Sequence, residues 1–207
     1  MLIQFFPVLS VIFLGIMSPG PSFVITAQTA LTQGRKNGFA IALGLACASL
    51  VIFSLFQLGF TLIFNIHPLV RPTLQVIGGV YLMFLGIQML HHARMISAGK
   101  GERAPIIQMK KRKSWRTGFL TQISNPKTFV VYMSAYTSFF PHSVTLGEFL
   151  IFLLCIFCLE MGWYSLVAGL LSAPKARNAF LKRAPIVNGV CGTILLLLGA
   201  SLLIEIL

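Results

Sequence analysis

The sequence predicts an all-α integral membrane protein, with six transmembrane helices forming a 3+3 inverted-topology repeat. Helices one and four are expected to break near mid-membrane, and both termini to lie outside. Three observations predict this. Fifty-seven per cent of the 207 residues are hydrophobic and a tenth are charged, a balance that no water-exposed surface of this length sustains. The basic residues collect in alternate connections between apolar runs. A proline-containing break in the first apolar run recurs in the fourth.

The apolar runs are about 20 residues or longer, enough to cross a hydrocarbon core of roughly 30 Å as helices, and they lack the alternation of barrel strands. The spans are expected at Leu2 to Thr32, Gly38 to Phe64, Thr73 to His91, Thr117 to Phe140, Gly147 to Leu171 and Ile186 to Ile206. The first run lacks a basic segment before it and a small-residue cleavage pattern within it, so it reads as a retained span. A single membrane domain covers residues 1–207: repeat one about 1–92, a basic loop about 93–116 and repeat two about 117–207.

A net charge of +12 raises the question of nucleic acid, and the distribution of the charge answers it. Arg35 and Lys36 follow span one. Arg94, Lys100, Arg103, Lys110 to Lys113 and Arg116 follow span three, and Lys175, Arg177, Lys182 and Arg183 follow span five. The opposite connections hold only Arg71. This asymmetry places the basic loops in the cytoplasm and both termini outside, and it makes KKRK a topology determinant with attraction to anionic lipid, not a nucleic-acid site.

Ser18 to Ile25 reads SPGPSFVI and Ser124 to Val131 reads SNPKTFVV, an offset of 106 residues. At an offset of 113, Pro72, Gln75, Gly79, Leu82, Leu85 and Gly86 align with Pro185, Asn188, Gly192, Leu195, Leu198 and Gly199. Two related halves of three helices cross the membrane in opposite senses, an arrangement that builds many secondary transporters. Asn125 is a good N-cap and Pro126 suits the first helical turn, with Gly20 and Pro21 as their counterparts. Two helix N-termini then meet near mid-membrane, offering free N–H groups to a carboxylate, whereas a packing kink would explain one break better than two.

Lys127, on the first turn after Pro126, opposes the helix dipole, and at that depth it costs about 2.5–3.5 kcal/mol on insertion scales. Glu160 is the one acid deep inside a span and is its candidate partner. Ser22, Thr26 and Thr29 on span one, with Thr128, Tyr132 and Tyr136 on span four, supply hydroxyls at helical spacing. The candidate substrate-binding set is Ser18, Gly20, Pro21, Ser22, Thr26, Asn125, Pro126, Lys127, Thr128 and Tyr132. Such stripes also serve helix packing. One buried cation and one buried acid suit a zwitterion with a neutral side chain better than a dication.

These residues resemble the LysE/RhtB-type amino-acid exporters of bacterial plasma membranes, and most closely the threonine exporters among them. The resemblance covers nearly the whole chain and rests on SPGP (Ser18 to Pro21), QTALTQGRK (Gln28 to Lys36), GGVYLMFLGIQML (Gly78 to Leu90), GFLTQISNPK (Gly118 to Lys127) and EMGWYSLVAGL (Glu160 to Leu170). It implies export of a small amino acid from the inner membrane against proton entry, with the PGP and NPK segments at the transport site. Many members continue PGP with Asn or Asp where this chain has Ser22, and many carry an Asp and a His in span two where it has LACASLVI (Leu45 to Ile52). Glu160 is left as the candidate proton-coupling group.

Two rival classes are a membrane thiol electron carrier and a structural membrane subunit. Cys155 and Cys158 form C-x-x-C, but the cysteines avoid both proline breaks, and a structural subunit accounts for neither the buried charges nor the repeat. No enzyme, metal or cofactor is expected, because the chain has no Asp and its four histidines sit at span ends or in loops. Oligomeric assembly is left open, a homo-oligomer included.

Overall fold

The computed structural model describes residues 2–18, 20–64, 69–97, 114–141 and 143–206. Pro19, His67, Lys100, Glu102, Arg103, the KKRK run and His142 lie outside the described residues. Among the described residues every regular element is helical. A short 3-10 turn, Leu2–Phe5, leads into α1 (Phe6–Met17) and α2 (Pro21–Gln33). Then follow α3 (Arg35–Phe64), α4 (Val70–Ser97), α5 (Ser114–Ile123), α6 (Pro126–Phe139), α7 (Leu146–Leu171) and α8 (Pro174–Ile206).

Arg35–Gly59, Pro72–Ser97 and Leu146–Leu171 are long and apolar enough to cross a membrane, and α1 with α2 makes a fourth such unit bent by 55° at the break. The α5–α6 pair is divided at Asn125, and the apolar part of α8, Pro185–Ser201, is shorter. Several helices outrun the spans expected from hydropathy. The third begins at Arg35, the fourth runs on to Ser97, and α8 passes through Pro185 from a start at Pro174. Hydropathy reports only the apolar part of a helix, whereas backbone hydrogen bonding carries the helix on into the polar flanks. Between α2 and α3 the chain turns on Gly34 alone, whose φ of 89° lies where a side chain is strained.

Two glycine seams set how closely the helices approach. A Cβ on Gly44 would lie 2.1 Å from Trp115 O, and one on Gly118 would lie 2.3 Å from Ile41 O, so α3 and α5 touch backbone to backbone. Gly79 faces Gly199 and Gly86 faces Gly192: added Cβ atoms on Gly79 and Gly199 would lie 3.2 and 2.6 Å from the opposite carbonyl oxygens, and on Gly86 and Gly192 2.6 and 2.9 Å. The fourth and eighth helices therefore run antiparallel. Exchanging Gly79 for Gly192 and Gly86 for Gly199, the positions aligned in the sequence, converts one contact into the other, the reciprocity of a two-fold contact. Small residues with this spacing are how apolar helices gain packing when lipid offers no hydrophobic drive.

Beside the α3–α5 seam lies an aromatic core. Phe53 stacks on Tyr132 with centroids 4.8 Å apart, and Tyr136 stacks on Phe140 at 4.4 Å. Phe152 packs against Phe5, Phe53 and Phe140 at 5.0–5.2 Å. Thr145 and Glu148 form a capping box that starts α7, and Gln4 Nε2 donates to Glu148 Oε1 at 3.0 Å, tying the first turn of the chain to it.

Gly118→Val is expected to lower the thermal midpoint of the detergent-purified protein, by an overpacking cost of about 1–3 kcal/mol. Gly162→Ala, where no atom lies within 4 Å of an added Cβ, should leave the midpoint unchanged. Equal behaviour of the two would show that the α3–α5 seam does not limit packing.

Candidate functional site

Both breaks restart a helix, and they do so differently. Asn125 caps α6, its Oδ1 accepting from Lys127 N at 3.1 Å. Gly20 precedes α2 with extended backbone and has no side chain to offer, so the first turn of α2 keeps its N–H groups clear of any side-chain cap. The expected pair of open helix N-termini is thus reduced: the amide of Lys127 is already taken by Asn125.

The breaks are joined across the fold. Lys127 Nζ donates to Ser18 O at 3.2 Å, and Asn125 Nδ2 donates to Ser22 Oγ at 3.3 Å. A Cβ on Gly20 would lie 3.4 Å from Lys127 Nζ and 3.5 Å from its Cδ, so glycine there leaves room for the lysine stem.

Behind the breaks lies a buried network centred on Gln122, which is 0% exposed. Its Nε2 donates to both oxygens of Glu160 at 3.0 Å, and lies 3.0 Å from Ser49 Oγ and 3.1 Å from Tyr132 OH. Its Oε1 accepts from Ser22 Oγ at 2.7 Å and from Thr128 Oγ1 at 3.4 Å. An ionised carboxylate can only accept, which fixes which end of the amide faces Glu160. Two amide hydrogens cannot serve four acceptors at once, so these contacts are alternatives and not all made together.

The α3–α5 seam builds this arrangement, since Gln122 follows Gly118 by one turn and Ser49 lies just beyond Gly44. Glu160, also 0% exposed, enters from the middle of α7. Its expected pairing with Lys127 is not what the fold makes: Glu160 meets Gln122, Lys127 meets Ser18, and among the described residues the two charges do not form an ion pair. Helix α6 turns the lysine toward the break, away from α7.

Two cavities meet at the breaks. The smaller, of about 20 Å³, is lined by Ser18, Gly20, Ser22, Asn125, Lys127, Thr128 and Tyr132 from the expected set, together with Tyr164. The larger, of about 340 Å³, shares Ser18, Gly20, Asn125 and Lys127 and adds Pro21 and Pro126. Thr26 reaches neither lining: its hydroxyl donates to Ser22 O, back along its own helix. Tyr136 donates to Gln57. Gln122, Ser49 and Tyr164 were not singled out by the sequence. The available signal was an amide three residues before Asn125 in a span that is otherwise mostly apolar. Cys155, partly buried, and Cys158, exposed, carry free thiols on α7, away from both cavity linings.

Apolar helices outside, with charged and hydroxyl groups gathered around two helix starts inside, mark a membrane translocator. Residues 13–206 match the LysE type translocator family, and the chain belongs to that family. It is 31% identical over 206 residues to the threonine efflux protein of Escherichia coli (strain K12), covering 99% of this chain and 100% of that one. It is 26% identical over 132 residues to the leucine efflux protein of Enterobacter sp. (strain 638), covering 63% and 60%. An uncharacterised membrane protein of Haemophilus influenzae is 25% identical over 190 residues, covering 91% and 90%. No solved structure matches the chain.

Gln122→Leu removes the amide that donates to both oxygens of the buried Glu160 and is expected to cost about 1–3 kcal/mol, read as a lower thermal midpoint in detergent. The double variant Gln122→Leu/Glu160→Leu should recover much of that loss, because an unpaired acceptor is removed with its partner. Strict additivity would mean that the two side chains are not coupled.

Proposed function

We propose that the protein exports a small neutral amino acid, threonine or a close analogue, across the bacterial plasma membrane in exchange for protons. The observation that carries this reading is the relay Asn125–Ser22–Gln122–Glu160, which links the cap of one restarted helix to a buried acid through the first turn of the other. The six spans act as an inverted repeat with both termini outside. The reciprocal glycine pairs of α4 and α8, and the two restarts after a break, support that arrangement. The names of the threonine and leucine efflux relatives support the substrate class.

In this mechanism Lys127 and the open first turn of α2 take the substrate carboxylate, and Ser22, Thr128 and Tyr132 offer hydroxyls to the rest of it. Glu160 carries the proton. Ionised, it holds the Gln122 amide; protonated, it no longer needs both hydrogens, and the amide turns to Ser49 and Tyr132, altering its grip on Ser22. The start of α2 therefore senses the charge of an acid on α7. One inward proton yields about 2.3 kcal/mol per 100 mV, enough to hold a neutral amino acid at a concentration ratio of about fifty.

The test is uptake of labelled threonine, homoserine, leucine and lysine into inverted vesicles, with and without a proton gradient. Threonine should accumulate with the gradient and lysine should not. Lys127→Ala is expected to raise the threonine KM by about 10- to 100-fold, the worth of a charge-assisted hydrogen bond. Glu160→Gln should insert normally and lose gradient-driven accumulation; parental accumulation by that variant would make Glu160 a structural group.

A reporter active only in the cytoplasm should work when fused after Lys36, Lys113 or Arg177 and fail after Leu207. Activity at the C-terminus would overturn the six-span inverted repeat.

A further inference from the structure

Beyond the network of Gln122 and Glu160, the larger cavity has a wall of its own, made of Gln88 and His92 from α4 and Asn188 from α8. Gln88 and His92 are exposed, whereas Asn188 is 2% exposed and its Oδ1 has no hydrogen-bond partner. A buried amide oxygen without a donor is rare, because it has lost water and gained nothing in return. Its position is not slack: Gly192, one turn further along α8, is in backbone contact with Gly86, which holds this part of α8 against α4. Lys127 lies on the same cavity and on the smaller one as well.

We propose that this cavity is a loading site for a zwitterionic amino acid with a neutral side chain. The carboxylate is held by Lys127 Nζ, and the α-ammonium donates to Asn188 Oδ1 once the side-chain amide turns that buried oxygen toward the cavity. The proposal rests on the transport reading above and adds a second binding station to it. The two ends of the ligand find opposite chemistry on one lining: a cation at the helix break, and an acceptor that lacks a donor on α8. Among the described residues lining the cavity there is no acid. A second ammonium, as in lysine, would find neutral acceptors but no carboxylate to pair with and would lie beside the charge of Lys127, so a dication is disfavoured before it reaches Glu160. Because Lys127 borders both cavities, the carboxylate passes from one station to the next without leaving its cation. With the basic connections in the cytoplasm, the mouth at His92 faces the cytoplasm, the side from which an exporter loads.

The experiment measures initial rates of threonine uptake into inverted vesicles, whose outer surface is the cytoplasmic face, for the parent, Asn188→Leu and Asn188→Asp. Asn188→Leu removes the acceptor and should raise the threonine KM about tenfold while leaving the maximal rate within about twofold, the pattern of lost ground-state binding. Asn188→Asp supplies a carboxylate for a second ammonium, so lysine should become a competitive inhibitor of threonine uptake, as it is not for the parent. If Asn188→Leu fails to insert, the lysine competition of Asn188→Asp decides alone. A parental KM in Asn188→Leu, or no lysine inhibition in Asn188→Asp, overturns the loading site while parental transport keeps the export reading intact. Parent vesicles that move no amino acid overturn both.

Discussion

A carboxylate placed between apolar helices loses its hydration, and it persists only where donors replace the lost water. Glu160 has that replacement chiefly in Gln122, with Ser49 beside it, and meeting it sets much of the surrounding geometry. The amide must come from α5, so α5 must lie close against α3. That approach needs the bare backbones of Gly44 and Gly118. The other end of the amide then faces α2, where Ser22 takes it, and Ser22 in turn receives Asn125 from the start of α6. Helices α2, α5, α6 and α7 are thereby bound to one another through polar contacts whose loss would expose a buried charge.

The proposed response to a proton rests on the same interaction. Gln122 has fewer hydrogens than nearby acceptors, so the network has more than one way to share them. A fully satisfied network would be rigid, and an unsatisfied one would be too costly to bury. On one side of it lie Tyr132, Phe53 and Phe152, packed ring against ring; on the other lie the breaks and the larger cavity. The polar site thus sits between a packed aromatic wall and an open one.

Lys127 shows how a local rule and a tertiary one combine. Proline at the preceding position and asparagine before it start the helix, which puts the lysine on its first turn whatever surrounds it. What the lysine then reaches is set by Gly20, whose missing side chain leaves the stem space to lie across the opposite break. The sequence offers Glu160 as the obvious partner because it is the remaining charge at depth. The fold separates the two and gives each a neutral partner, which leaves the cation available at the junction of two cavities.

The amino-acid sequence by itself determined what depends on composition and on nearest neighbours. Apolar content and length dictate helices in lipid, Asn125–Pro126 and Gly20–Pro21 dictate where two of them restart, and Gly79, Gly86, Gly192 and Gly199 align as parts of an internal repeat. Most of the candidate set reached a cavity for that reason, since it was drawn from the breaks themselves. Only the tertiary structure decided the pairings: Gln122 with Glu160, Lys127 with Ser18, Thr26 turned back on its own helix, and Asn188 left with an open acceptor. Those pairs lie far apart in the chain, and helical periodicity says which face a residue occupies but not which helix that face meets. The choice of neighbour came from how closely bare glycine backbones let the helices approach.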